Sequence, residues 1–127
     1  MREKTVIHTD KAPSAVGPYS QAVVAGGMVY ASGQIPLTPS GGLVQSGIGD
    51  QARQALDNLK AVLEAAGSDF SLIVKTTIFL TDLADFAAVN EVYGSYFQSL
   101  PPARSCVQVA ALPKGAGIEI EAVAMVE

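Results

Sequence analysis

Gln51-Ala52-Arg53-Gln54-Ala55-Leu56-Asp57-Asn58-Leu59-Lys60-Ala61-Val62-Leu63-Glu64-Ala65-Ala66 and, six residues beyond it, Ile73-Val74-Lys75-Thr76-Thr77-Ile78-Phe79-Leu80 are the two runs that decide the fold. In the first, Ala52, Ala55, Leu56, Leu59, Val62, Leu63 and Ala66 recur at steps of three and four, with Arg53, Asp57, Lys60 and Glu64 on the opposite side. This is the pattern of a helix with one buried stripe and one wet face. Asp50 stands where it could cap the start, and Gly67 where a left-handed residue closes the end. The second run is rich in β-branched residues and reads as a strand. A second helix is expected over Asp85 to Gln98, burying Phe86, Val89, Val92 or Tyr93, and Tyr96 with Phe97, until Pro101-Pro102 stops it.

Outward from this centre the strands are short and well punctuated. Gln21 to Val24 and Met28 to Ser32 flank Ala25-Gly26-Gly27, a tight hairpin turn in which Gly supplies positive φ. Arg104 to Ala110 and Ile118 to Val126 read as a carboxy-terminal hairpin around Leu112-Pro113-Lys114-Gly115-Ala116-Gly117, and Thr5 to His8 as a first strand. The order βββαβαββ describes one α+β domain over residues 1–127, a mixed or antiparallel sheet with both helices on one face. On the last strand Ile118, Ile120, Ala122, Ala124 and Val126 point one way and Glu119, Glu121, Val123 and Met125 the other, so both sides are largely apolar. A solvated face would alternate more cleanly, and the uncovered side is expected to meet another subunit. Residues 36–49, rich in Pro and Gly, are the longest irregular stretch, a connection from strand to helix with a lid as the alternative.

Composition narrows the function classes. Charged residues are 16% of the 127-residue chain, below the usual quarter, which also favours an oligomer. Twelve acidic against eight scattered basic residues give a net charge of −4, so nucleic acid is an unfavourable partner. One cysteine, Cys106, and one histidine, His8, provide neither an internal disulfide nor a structural zinc set, and a cytoplasmic compartment fits. No apolar run approaches a membrane span, and Met1-Arg2-Glu3-Lys4 with Thr5 to His8 is too short and polar for a leader. Phosphate-cradling loops, dinucleotide fingerprints and nucleophile–histidine pairs are all missing, and His8 reads as a surface strand residue.

The carboxy-terminal segment carries the candidate chemistry. Alternation puts Arg104, Cys106 and Gln108 on one face of their strand and Ser105, Val107 and Val109 on the other. A guanidinium on so apolar a strand needs an anion: either a structural carboxylate, Glu119 or Glu121, or the carboxylate of a substrate held by two parallel hydrogen bonds. Glu119 and Glu121 share a face, and burial would fit one of them for acid–base work. A symmetric hairpin leaves Arg104 about six residues, or about 20 Å, from Glu119 along the ladder. Either the pairing is offset, or the site joins Arg104 of one subunit to Glu119 of a neighbour. Covalent catalysis by Cys106 is not required where water can attack directly.

The run Pro102-Ala103-Arg104-Ser105-Cys106-Val107, then Leu112-Pro113 and Ile118-Glu119-Ile120-Glu121-Ala122, resembles the signature of the reactive intermediate deaminase family, in its RidA-type branch. Ala12-Pro13, Gly17-Pro18-Tyr19-Ser20-Gln21, Ser32-Gly33-Gln34-Ile35-Pro36, Gln51 to Asn58 and Asp82-Leu83-Ala84-Asp85-Phe86 extend the resemblance, in order, over nearly the whole chain. It implies a chorismate-mutase-like fold and a homotrimer whose sheets line a central barrel, with sites in the clefts between subunits. It also implies hydrolysis of enamines and imines such as 2-aminoacrylate to 2-keto acids and ammonia, with no cofactor and no metal. On this resemblance Arg104 is the carboxylate-binding residue, Cys106 the site cysteine and Glu119 the acid that positions water. Tyr19, Ser32, Gly33 and Asn90 are then the accessory groups. The same cleft without turnover would instead make a small-carboxylate-binding, regulatory or chaperone-like module.

Overall fold

A computed structural model describes residues 3–127; Met1 and Arg2, the head of the stretch weighed as a leader, lie outside the described residues. The elements are β1 (Thr5–Ile7), β2 (Ala22–Ala25), β3 (Met28–Gln34), α1 (Ile48–Ala65), β4 (Ile73–Leu80), α2 (Phe86–Tyr96), β5 (Ala103–Gln108) and β6 (Ile118–Met125), in the expected βββαβαββ order. They build one six-stranded mixed sheet in the order β1-β2-β3-β6-β4-β5, with both helices on one face, an α+β domain. Gly26 and Gly27 both hold positive φ, +60° and +78°, the two-residue turn whose twist suits a hairpin.

The expected carboxy-terminal hairpin does not form. β4 lies between β5 and β6, pairing parallel with β5 and antiparallel with β6, while β6 also pairs antiparallel with β3. The reason is the crossover: α2 returns the chain to the start of β4, so β5 adds beside it in the same sense and takes the sheet edge. β6 then enters the middle, where Ile118, Ile120, Ala122 and Ala124 are buried on the helix side while the opposite side runs from half-buried Glu119 to exposed Met125.

The core lies between the sheet and α1. Ala52, Ala55, Leu56, Leu59, Val62 and Leu63 present the stripe read from the sequence, against Ile78, Leu80, Ile118, Ile120 and Ala124, all of them fully buried. Each Leu, Ile or Val among them contributes about 1.5–3 kcal/mol by leaving water, and each Ala less. The helix begins three residues earlier than expected, at Ile48 with Gly47 as its N-cap, because Asp50 does not cap it: its carboxylate accepts from Arg53 Nη1 at 2.9 Å within the first turn. Gly67 does close the end, at φ +80°. α2 stops at Tyr96, ahead of the two prolines, because Ser95 Oγ donates back to the Val92 carbonyl and Phe97 turns aside to stack on Phe70 at 5.1 Å. Phe86, expected inside, is exposed on the helix surface.

Residues 36–47 run without helix or strand apart from a bridge between Leu37 and Leu43. Buried Asn58 of α1 fixes the start of this segment, donating to the carbonyls of Ile35 at 3.2 Å and Leu37 at 2.7 Å while accepting from Gln54. Asn58→Ala leaves the inward-facing Leu37 carbonyl without its donor and the Ile35 carbonyl with the Leu37 amide alone, at 2.7 Å. It is expected to lower stability by about 2–3 kcal/mol in urea unfolding, well above the cost of removing an exposed amide.

Candidate active site

Strand parity sends the two principal candidates to opposite faces of the sheet. Arg104 of β5 is the register partner of Thr76 on β4, and Thr76 faces α2. Glu119 of β6 is the partner of Phe79, three residues along the same strand and therefore on the side away from the helices. The two lie about 10 Å apart along β4 and two strand spacings apart across it. The offset is half that expected from a hairpin, but the sheet itself stands between them.

On the helix side, α2 offers Phe86, Asn90 and Tyr93 at spacings of four and three, one face of a helix. Together they cradle the half-buried Arg104. Its guanidinium carbon sits 4.9 Å from the Tyr93 ring centroid and 5.4 Å from that of Phe86, and Nη1 donates to Asn90 Oδ1 at 2.6 Å. Neither Glu119 nor Glu121 pairs with it, and among the described residues no carboxylate does. The structural ion pair entertained from the sequence is therefore absent. A cavity of about 460 Å³ opens beside the guanidinium, lined by Asn90, Tyr93, Phe97, Pro101 and Pro102. One of five N–H donors is engaged, and the rest remain for an anion.

The opposite face holds a cavity of about 430 Å³ with Tyr19, Ser32, Gly33, Lys114 and Glu119 in its wall. Here β3 carries a bulge: between Ala31, opposite Ala122, and Gln34, opposite Ile120, it has Ser32 and Gly33 where β6 has only Glu121. The strand read from the sequence ended at Ser32 and missed this. Glu119 lies across Gly33 so closely that a Cβ there would stand 2.6 Å from Cδ and 2.8 Å from Cγ of the acid. With no side chain of its own, Gly33 leaves the space that Glu119 occupies. Burial, with the nearby Glu121 charge second, pushes the Glu119 carboxyl above the ordinary range. Ser32 Oγ donates to the Ser20 carbonyl at 2.6 Å, and Tyr19, half-exposed, accepts from the Val16 amide at 3.4 Å.

Two further residues shape this wall without having been singled out for it. Buried Gln21 holds the segment ahead of Tyr19, accepting from Thr9 N and donating to the Thr9 and Pro13 carbonyls. Lys114 takes a left-handed backbone, φ 59°, between Pro113 and Gly115. An amide beside Ser20 in an otherwise short-stranded segment was the signal available for Gln21. Cys106 sits two residues beyond Arg104 on the helix side, half-buried against the core and outside both cavity linings. Burial pushes its thiol up, with Arg104 opposing, which keeps it from being a thiolate at neutral pH. His8, just past β1, is exposed and contacts Asp10 at 3.1 Å. Among the described residues no three of His, Cys, Asp and Glu cluster as a metal set, and no helix is long and apolar enough to cross a membrane.

The Glu119 environment gives a signed prediction. With a folded pKa above the unfolded one, the native state binds more protons in the window between them, so stability falls as pH rises through it. Glu119→Gln removes that slope. Its melting temperature is expected to match the parent at pH 4 and exceed it at pH 8, measured by calorimetry at both.

Comparison with known proteins identifies the family. The model of a family described as endoribonuclease L-PSP matches residues 9–126. The chain is 56% identical over 123 residues to the human 2-iminobutanoate/2-iminopropanoate deaminase, covering 96% of this chain and 90% of that one. The Escherichia coli YjgF product has 51% identity and a TM-score of 0.92, covering 97% of this chain and 99% of that one. A structure of Escherichia coli TdcF with bound serine has 50% identity, the same TM-score and the same coverage. The resemblance read from the sequence is borne out, and the chain belongs to the endoribonuclease L-PSP family, the Rid/YjgF group.

Proposed function

We propose that this protein is a hydrolase that converts small 2-imino acids, and the enamines in equilibrium with them, to 2-keto acids and ammonia. The observation that carries the reading is a guanidinium with no carboxylate partner among the described residues on one sheet face and a half-buried carboxyl with raised proton affinity on the other. The relatives named as 2-iminobutanoate/2-iminopropanoate deaminases, at 53–56% identity, support the same chemistry.

In this reading the Arg104 fork holds the substrate carboxylate by its free donors, with Asn90 fixing the guanidinium plane. Glu119 of a neighbouring subunit orients a water toward the imine carbon and takes one of its protons; the C–O bond forms as the C=N π pair moves to nitrogen. Return of that proton to nitrogen gives the neutral carbinolamine, and passage of its hydroxyl proton through Glu119 to the same nitrogen lets ammonia leave as the C–N bond breaks and the C–O bond becomes the ketone. A carboxyl whose pKa is raised toward the working pH suits both transfers. Tyr19, Ser32 and Gly33 line the Glu119 half, and Cys106 lies beside the Arg104 half as a thiol. No step draws on a cofactor.

The assembly is part of the proposal. Tyr30 and Met125 are 50% and 44% exposed on the sheet face away from the helices, apolar surface that a homotrimer would cover around a central barrel. Bringing one chain's Arg104 cavity against the next chain's Glu119 cavity would complete each site. We read the enzyme as cytoplasmic, which its single thiol and small metabolite substrates support. RNA is not our substrate reading, because eight dispersed basic residues under a net charge of −4 form no phosphate track.

Addition of the protein to a pyridoxal-phosphate dehydratase acting on serine or threonine is expected to speed keto-acid appearance. Arg104→Ala should lower kcat/KM by roughly 10²-fold, and Glu119→Gln by about 10²–10⁴-fold. Full activity in Arg104→Ala would overturn the anchor. Gly33→Ala, which displaces Glu119, should behave like the Glu119 variant in rate while leaving the KM for the carboxylate nearly unchanged.

A further inference from the structure

Beneath the Arg104 guanidinium lies a buried pair that no assigned role accounts for. Tyr93 is 5% exposed and Thr76 is 0% exposed, and their hydroxyls are 2.7 Å apart. Thr76 is also the register partner of Arg104 on β4. One hydroxyl therefore joins the strand beside Arg104 to the helix ring on which its guanidinium rests.

We infer that Thr76 and Tyr93 are positioning residues that set the affinity for the substrate carboxylate by holding the Tyr93 ring flat under Arg104. This rests on the reading of Arg104 as the carboxylate anchor. Desolvation leaves Tyr93 a neutral phenol, and Thr76 satisfies it, so the hydroxyl is not offered to substrate. The ring face meets the guanidinium at 4.9 Å, and Asn90, one turn earlier, engages a single Nη1 proton. A guanidinium resting on a ring directs its N–H groups outward in its own plane, the geometry of a two-point carboxylate grip. If the ring tilts, the fork tilts with it. Because the carboxylate is held alike in the ground and transition states, the effect belongs in KM rather than kcat.

The experiment separates this role from simple packing. Tyr93→Phe keeps the ring and orphans the buried Thr76 hydroxyl, so both melting temperature and affinity should fall, with KM rising about threefold. Thr76→Val, close in shape, should raise KM similarly. In Thr76→Val/Tyr93→Phe the pair is replaced by apolar groups of the same shape, so melting temperature should recover toward the parent. KM should stay about threefold high and kcat within twofold of the parent. The KM increases should be non-additive, since both changes remove one bond. A KM that returns to the parental value along with the melting temperature would assign the pair to packing alone and overturn the inference. So would KM values that do not move in any of the three variants while Arg104→Ala raises KM strongly. If Arg104→Ala leaves KM unchanged, the anchor reading fails first and this inference falls with it.

Discussion

β4 has a neighbour in each sense, β5 parallel and β6 antiparallel, and alternation along this one strand decides where every candidate group points. Thr76 faces the helices and carries Arg104 to that side; Phe79, an odd number of residues on, carries Glu119 to the other. A slip of one residue in the β6 pairing would turn Glu119 into the core, where an unpaired charge costs several kcal/mol, and one in the β5 pairing would turn Arg104 away from α2. Register is thus enforced by the same burial that stabilises the sheet. The separation of the two groups is not a local choice of β5 or β6 but a property of the strand between them.

Each face then solves a different electrostatic problem. The Arg104 side keeps a cation away from carboxylates and steadies it with ring faces and one amide oxygen, which leaves it able to attract an anion from solution. The Glu119 side holds a carboxyl over a glycine, and its burial, with a second acid nearby, disfavours its charge. Both are poorer for folding than neutral packing would be, the usual mark of residues retained for chemistry. The bulge at Ser32–Gly33 is the backbone counterpart: it interrupts the ladder just where Glu119 needs room.

The elements were largely legible in the sequence because each depends on short-range pattern. The α1 stripe, the β4 run and the double-glycine turn are recognisable from spacing alone, and the interior of α1 is as its periodicity implies. Strand adjacency was not legible. Arg104 to Ala110 and Ile118 to Val126 look like a hairpin because they are consecutive, and only the geometry of the α2 return inserts β4 between them. Asp50 and Phe86 misled for a related reason: a capping residue type and an aromatic on a helix say little about which partner, Arg53 or Arg104, engages them. The Gly33 contact with Glu119 joins positions 86 residues apart, beyond any local signal. The Phe86, Asn90, Tyr93 spacing was visible, but its meaning required knowing that Arg104 lies over it.

The two cavities have no lining residue in common. Divergence can therefore act on them one at a time: changes around Pro101 and Phe97 would alter what the cation receives, and changes around Tyr19 and Leu37 would alter what surrounds the acid. Neither would disturb the other's packing. The exception is β4, which belongs to neither lining and touches the supports of both. In a lineage of such proteins, altered substrate preference should arise as independent histories on the two faces, with β4 as the boundary between them.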